Sequence, residues 1–282
     1  MKKMCATLTV AVVAVGCVPT TEREPESTTE LSGAASESEP PEATSLLGKP
    51  LYRMDLPPAT KAKLEANLAE AQARYDEDPS DAENIIWLGR RLAYLWRYRD
   101  AIDVFTKGIE LHPENEKLYR HRGHRYITVR ELDKAVADLE KASELIEGTP
   151  DEVEPDGAPN AAGIPRSTLH SNIWYHLGLA HYLKGEFDEA ARAYESCMEV
   201  SRVNDDQLVA TADWQYMTYR RLGRDDDAAK VLEEIREEMD ILENTSYHKR
   251  LLMYKGLVEP DELLIPEASE LDLATQGYGV AN

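Results

Sequence analysis

The sequence predicts an all-α fold of stacked helical hairpins, and three observations predict it. A pattern of small and large residues recurs at an offset of 34 residues, a period typical of helix–turn–helix repeats. Ala, Leu and Glu are abundant while Phe is rare, with 2 Phe in 282 residues, and this composition favours helices over sheets. After Lys61, small or apolar residues recur at helical spacing, as at Leu64, Leu68 and Ala71.

The start of the chain has the features of an export signal. Lys2 and Lys3 form a positively charged start. Residues 6–15 form an uncharged, largely apolar run that is too short to span a membrane as a helix. We therefore predict a signal peptide over residues 1–16 and an exported protein.

The signal ends in Ala14-Val15-Gly16-Cys17, which resembles the lipobox of bacterial lipoproteins. In that family the chain is cut before the cysteine and the thiol is lipidated, so the resemblance implies a lipid attached to Cys17. Ala14 stands where the family usually has Leu, and an ordinary secretory signal is the alternative. Val18, rather than Asp, is similar to enterobacterial signals for the outer membrane. The expected location is the bacterial envelope, with membrane contact only through the lipid anchor.

Residues 17–57 are predicted to be an acidic, disordered tether. They are rich in Thr, Glu, Ser and Pro and offer little apolar surface to bury. A flexible segment of about forty residues spans roughly 35 Å on average, enough to hold a folded domain away from a bilayer. The helical spacing that follows predicts an N-terminal capping helix within residues 58–80.

Four repeats then follow in one register, over residues 82–115, 116–149, 171–204 and 209–242. Equivalent positions hold Gly89, Gly123 and Gly178; Ala101, Ala135 and Ala190; Phe105, Leu139 and Tyr194; and Gly108, Ala142 and Cys197. The fourth repeat is divergent, with Tyr216 where the glycine belongs. Small residues allow two helices to approach closely, and large ones fill the space between neighbouring pairs. Cys197 is therefore predicted to lie in the core.

This register resembles the tetratricopeptide-repeat family, whose period is 34 residues. The resemblance implies a right-handed superhelical solenoid in which the first helix of each repeat lines a concave groove. It also implies a non-catalytic scaffold or adaptor, without a cofactor, that binds a peptide or protein segment, as bacterial repeat lipoproteins do. Carried over by position, the groove residues are Arg90, Tyr94, Lys117, Arg120, His124, Tyr175 and Tyr182.

The groove is predicted to be basic at one end and aromatic at the other. Residues 90–130 hold ten Lys or Arg against five Asp or Glu, although the whole chain has a net charge of −21. Such a patch suits a peptide with an acidic or C-terminal carboxylate end, with positive charge from Arg90, Arg120 and His124. The alternative is that these arginines pair with the acidic helices around them. The overall negative charge argues against nucleic acid as a partner.

A second hypothesis is a small-ligand, anion or metal site in the second and third repeats. His121 and His124 lie on one helix face, and His176 takes the position in the third repeat that His121 takes in the second. The three could converge on a metal, but no fourth ligand is evident, so no metal is predicted.

No catalytic signature is present in the sequence. It contains no Gly-rich phosphate loop, G-x-S-x-G elbow, H-E-x-x-H or Cys-x-x-Cys motif, and we do not expect an enzyme. A third alternative is an enzyme domain in a C-terminal part beyond this sequence.

Two segments depart from the repeat pattern. Residues 150–170 insert a Pro-rich, acidic stretch between the second and third repeats, which could act as a lid over the groove. Residues 243–282 are predicted to hold C-terminal helices, the last of which begins at Glu267 and has an apolar pattern. Because solenoids usually end in a helix with a polar outer face, we expect the native chain to continue beyond Asn282.

Overall fold

The computed structural model describes residues 40–160, 162–264 and 270–281. The predicted signal peptide, Cys17 and the larger part of the predicted tether lie outside the described residues. The described strands are β1 (Ala43–Thr44) and β2 (Pro50–Leu51). The described helices are α1 (Pro58–Glu77), α2 (Ala82–Tyr94), α3 (Tyr98–Leu111), α4 (Glu116–Thr128), α5 (Leu132–Leu145), α6 (Leu169–Lys184), α7 (Phe187–Ser201), α8 (Asp205–Arg221), α9 (Asp225–Glu233), α10 (Thr245–Tyr254), α11 (Pro260–Leu263) and α12 (Glu270–Ala281).

The all-α stack of helical hairpins is confirmed. The pairs α2–α3, α4–α5, α6–α7 and α8–α9 form four hairpins, and each hairpin packs on the next. Helix α1 packs against α2 at the N-terminal side of the stack. Residues 205–208, which fall between the bounds of the third and fourth predicted repeats, are the first turn of α8, because the Asn204 side chain caps the helix there.

The first helix of every hairpin begins with a side-chain cap. In each case the capping oxygen accepts a hydrogen bond from the backbone N–H three residues later, and the caps are Asp81, Asn115, Thr168 and Asn204. The turn between the two helices of each hairpin contains one residue with positive φ, at Trp96, Arg130, Gly185 and Gly223. The four hairpins therefore share one turn geometry, although only two of them place glycine in it.

The small positions lie where two helices meet most closely, as the repeat register implies. A Cβ added to Gly178 would lie 2.7 Å from the Tyr194 ring, and one added to Gly123 would lie 2.8 Å from Leu139. Cys197 is fully buried at the equivalent small position, with its Sγ 3.2 Å from Thr211 Oγ1, and burial raises the pKa of its thiol. The prediction that Cys197 lies in the core is confirmed.

In the part of the predicted tether that the structure describes, residues 40–57, the prediction of disorder is wrong. Strands β1 and β2 form an antiparallel hairpin that lies on the first two repeats. The Glu42 carboxylate accepts hydrogen bonds from Arg53 Nε at 2.7 Å and from the Arg99 backbone N–H at 3.0 Å. Ala43 is buried with Ile102. One buried carboxylate and one buried methyl group hold a segment whose composition offers few other anchors.

The C-terminal helices pack back onto the stack. Helix α10 packs on α8, and α12 packs on α10. A buried ion pair joins α10 to α8, with Arg250 Nη2 lying 3.0 Å from Asp213 Oδ2. Arg250 Nη1 also donates to the Thr275 carbonyl of α12 at 3.0 Å. None of the helices in the described residues combines the length and the apolar character needed to cross a bilayer.

Candidate partner-binding groove

The first helices of the hairpins form one continuous face, which we call the groove. Helix α2 contacts α4, α4 contacts α6, and α6 contacts α8. All the predicted groove residues lie on three of these helices: Arg90 and Tyr94 on α2; Lys117, Arg120 and His124 on α4; and Tyr175 and Tyr182 on α6. Their surroundings differ from those expected, because other segments of the chain cover the groove.

The basic end of the groove is occupied by the chain's own insert. Lys117 Nζ lies 2.8 Å from a carboxylate oxygen of Glu152. Arg120 Nε lies 3.0 Å from a carboxylate oxygen of Glu154, and both side chains of this pair are buried. The predicted acidic ligand of the basic patch is therefore present within the same polypeptide.

The insert also binds the groove through its backbone. Arg90 Nη2 donates to the Pro155 carbonyl at 2.6 Å, and Arg91 Nη1 donates to the Gly157 carbonyl at 2.8 Å. Gly157 lies directly against the Tyr94 ring, where a Cβ would collide with the phenol. Bonds to main-chain carbonyls hold an extended strand in place whatever its side chains are.

The far part of the insert is held at the other side of the groove. The Arg166 carbonyl accepts a hydrogen bond from Asn204 Nδ2 at 2.8 Å, and its guanidinium lies 3.3 Å from the buried carboxylate of Asp206. Asp206 Oδ1 also accepts from the backbone N–H groups of Glu243 and Asn244, at 2.8 and 3.0 Å. The insert thus spans the groove from the first repeat to the fourth.

The alternative explanation of the basic patch holds for three of its other arginines. Arg122 forms a bidentate pair with Asp138 on α5, with both N–O distances 2.7 Å. Arg97 pairs with Asp100, and Arg99 pairs with Glu131. The patch is therefore divided between arginines that pair with neighbouring helices and arginines that face the insert.

His124 does not supply the positive charge expected of it. Burial, together with the nearby guanidinium of Arg125, holds its pKa well below the usual value, so the imidazole is neutral at pH 7. Burial and the charge of Arg120 act on the pKa of His121 in the same direction. The positive charge at this end of the groove comes from arginine and lysine alone.

The three histidines named as metal candidates do not form a metal site. The His124 and His176 rings are neighbours, with centroids 4.1 Å apart. His121, however, stacks on Phe105, and its Nδ1 accepts from Arg120 at 3.0 Å. Within the described residues, no group of three His, Cys, Asp or Glu side chains could hold a metal ion.

The aromatic end of the groove is covered by the C-terminal helices. Tyr182 is buried, and its hydroxyl lies 3.1 Å from that of Tyr278 on α12. Tyr175 donates to Tyr247 on α10 at 3.3 Å. The expectation that both tyrosines are free to contact a partner is wrong in this conformation, because α10 and α12 pack over them.

A family comparison agrees with this geometry. A model of the tetratricopeptide repeat matches residues 171–201, which are most of helices α6 and α7. The other three hairpins share the capped first helix and the positive-φ turn of that repeat. The chain therefore contains a tetratricopeptide repeat at residues 171–201.

The chain is similar to several curated proteins over about half of its length. It is 24% identical over 165 residues to BBSome complex member BBS4 of Bos taurus, covering 57% of this chain and 27% of that protein. It is 25% identical to small glutamine-rich tetratricopeptide repeat-containing protein 2 of Mycosarcoma maydis, covering 46% of this chain and 31% of the relative. The chain therefore spans less than a third of the length of either relative.

Among solved structures, the repeat protein is similar to MamA and to a Thermus thermophilus protein. MamA is 18% identical with a TM-score of 0.47, over 71% of this chain and 89% of that chain. The tetratricopeptide-repeat protein TTC0263 of Thermus thermophilus is 18% identical with a TM-score of 0.48, over 69% and 93% of the two chains.

The sequence-based expectations for this repeat protein missed the residues that complete the site. Glu152 and Glu154 come from the insert, and Arg91 and Arg125 lie beside the predicted groove positions. The alternation of acidic residues at 152, 154 and 156 was the available signal, because alternate residues of an extended strand face the same side. As a whole, the site is a basic surface that binds the extended acidic segment 152–157 through side-chain ion pairs and through hydrogen bonds to its backbone.

Proposed function

We propose that this protein is a non-catalytic interaction scaffold whose groove binds an extended acidic segment of a partner protein. One observation supports the proposal above the others: residues 152–157 of the insert already lie on the groove in that way. Stacked hairpins offer an extended binding surface. The insert that lies on this surface indicates which kind of segment the surface binds, namely an extended and acidic one.

The contacts define what the partner segment must carry. Glu152 and Glu154 are two residues apart and both pair with α4, while Val153 between them is 58% exposed. Arg90 and Arg91 add hydrogen bonds to backbone carbonyls, which require an extended strand but no particular side chain. The partner segment is therefore extended, with two carboxylates in alternate positions.

Partner binding requires the insert to leave the groove. A tethered segment acts at a high effective concentration, so it reduces the apparent affinity of any competing segment. The apparent dissociation constant is the intrinsic one divided by the fraction of molecules with an open groove. A partner with higher affinity, or one presenting several copies of the segment, overcomes this competition.

The test uses a variant in which residues 152–166 are replaced by an equally long Gly/Ser linker. A fluorescent peptide with the sequence of residues 150–168 is titrated into this variant and into the wild type, with fluorescence anisotropy as the readout. The linker variant is expected to bind the peptide at least tenfold more tightly than the wild type, because its groove has no competing occupant.

Two controls separate groove binding from general charge attraction. Lys117→Gln combined with Arg120→Gln in the linker variant should remove binding, whereas Arg192→Gln on α7, whose side chain is 67% exposed and paired with Glu189, should leave it unchanged. A peptide with Gln at positions 152 and 154 should bind at least tenfold more weakly. Equal binding of the acidic and neutral peptides, or no binding to a linker variant that retains its helical circular dichroism, would contradict the proposal.

The location of the scaffold at the bacterial envelope is part of the proposal. It rests on the sequence around Cys17, which resembles a lipobox. Metabolic labelling with a radioactive fatty acid should mark the wild type but not a Cys17→Ser variant, and the variant should leave the membrane fraction. If the wild-type protein is not labelled, the lipid anchor is ruled out, while the proposed binding in the groove is unaffected.

A further inference from the structure

A cavity of about 200 Å³ lies between the insert and helices α2 and α4. Its walls include Arg90, Arg120, Arg125, Tyr94, His124 and Asp156. Apolar cavities of about 150 Å³ hold a molecule the size of benzene, so this one has room for a small organic molecule. Most of the side chains on its walls are polar, which makes it a place for a polar ligand.

The charges around the cavity do not balance locally. The Glu154 carboxylate is engaged by Arg120 at 3.0 Å and by Asn172 at 3.0 Å. Arg90 is held by the Pro155 carbonyl and lies over the Trp87 ring, 4.3 Å from its centroid. Two carboxylates on the cavity wall, Glu154 and Asp156, therefore face three arginines, and Glu154 is already engaged by Arg120.

Arg125 is that third arginine. Within the described residues it forms no ion pair, and its guanidinium lies 5.6 Å from the centroid of the Tyr98 ring. Burial, together with repulsion from Arg120, lowers the pKa of Arg125 to about 10, which leaves it charged at pH 7. An isolated cation in a partly enclosed, polar cavity favours the uptake of an anion.

Neutral donors accompany this cation. Tyr94 and the uncharged His124 line the same cavity, and each can donate a hydrogen bond without adding charge. On the insert side, Asp156 has one buried carboxylate oxygen that accepts no hydrogen bond from the described residues. Burial raises the pKa of this group, while the charge of Arg90 lowers it.

We propose that this cavity binds a small molecule bearing a carboxylate or phosphate group, with the oxyanion held by Arg125 and Arg120 and by the Tyr94 hydroxyl. The ligand lies beneath the insert and contacts both the insert and the groove. It is distinct from the partner segment, which takes the place of the insert. The site therefore exists only while the insert is seated.

Isothermal titration calorimetry on the full chain with its insert in place tests the site, using succinate and inorganic phosphate as probes. Succinamide is the neutral control for succinate, and sodium chloride keeps the ionic strength constant. Saturable binding of either anion, with no binding of succinamide, is the expected result. The probe that binds more tightly identifies the oxyanion that the cavity prefers.

Variants locate the binding. Arg125→Gln should weaken the anion at least tenfold, and Tyr94→Phe should weaken it by a smaller factor, whereas Arg192→Gln on α7 should not change it. If Arg125→Gln does not fold, Arg125→Lys and Tyr94→Phe carry the test. Absence of binding for both anions, or an unchanged affinity in folded Arg125→Gln, would overturn the inference while leaving the peptide test of the groove unaffected.

Discussion

At the scale of single residues, three buried histidines make the stability of this fold depend on pH. Burial lowers the pKa of His121 and His124 well below the usual value and lowers that of His176 to about 3. In the unfolded chain the same groups titrate near 6.5. Below pH 6.5 the unfolded chain therefore binds protons that the folded chain does not, and stability falls as the pH falls.

We predict that the free energy of unfolding is insensitive to these histidines above about pH 7.5 and decreases steeply between pH 6.5 and 5. Each of the three contributes up to about 1.4 kcal/mol per pH unit in that window. His124→Gln should reduce the slope by one proton, measured by urea unfolding at several pH values. A His124 imidazole signal that titrates near pH 6.5 in a nuclear magnetic resonance experiment on the folded protein would show that the ring is not buried as described.

The β1–β2 hairpin shows how an element can be fixed by very few residues. Nothing local in residues 40–57 indicated order, because the anchoring contacts of Glu42 are to Arg99, which lies 57 positions away in sequence. The repeats were predictable for the opposite reason. Their small positions, such as Gly123 and Gly178, recur at fixed intervals and determine where two helices touch. Periodic packing can be recognised in the sequence, whereas two long-range hydrogen bonds cannot.

We predict that Glu42→Ala releases this hairpin from the stack. Charge-assisted hydrogen bonds contribute roughly 1.5–3 kcal/mol each, so losing the contacts to Arg53 and Arg99 should increase the open population at least tenfold. Tryptic cleavage after Arg53 should accelerate correspondingly. Glu65→Ala on the exposed face of α1 is the matched control and should leave the cleavage rate unchanged. Equal rates in the two variants would show that Glu42 does not hold the hairpin.

At the scale of the folded unit, both ends of the groove are covered by segments of the same chain. The insert covers the basic end through Lys117 and Arg120, and α12 covers the aromatic end through Tyr278. The sequence located the groove residues on the first helices and indicated the insert as a lid, but it did not indicate that α12 covers the aromatic end. The sequence shows that the insert is acidic and that the patch is basic. Their pairing could not be predicted, because it depends on the path of a loop across three helices.

The two covers should act independently on the acidic partner segment, because the Tyr278 contact lies at the aromatic end of the groove and the carboxylates of the insert bind at the basic end. Tyr278→Ala removes the hydroxyl contact to Tyr182 and the ring that lies 6.1 Å from Trp214, but it leaves the insert and its arginine contacts in place. We predict that this variant binds the 150–168 peptide within about twofold of the wild type, whereas the Gly/Ser linker variant binds it at least tenfold more tightly. Combining the two changes should match the linker variant alone in the anisotropy titration. If Tyr278→Ala increases the affinity for the peptide as much as the linker does, the insert alone does not control access to the groove. Access would then depend on the packing of the whole stack.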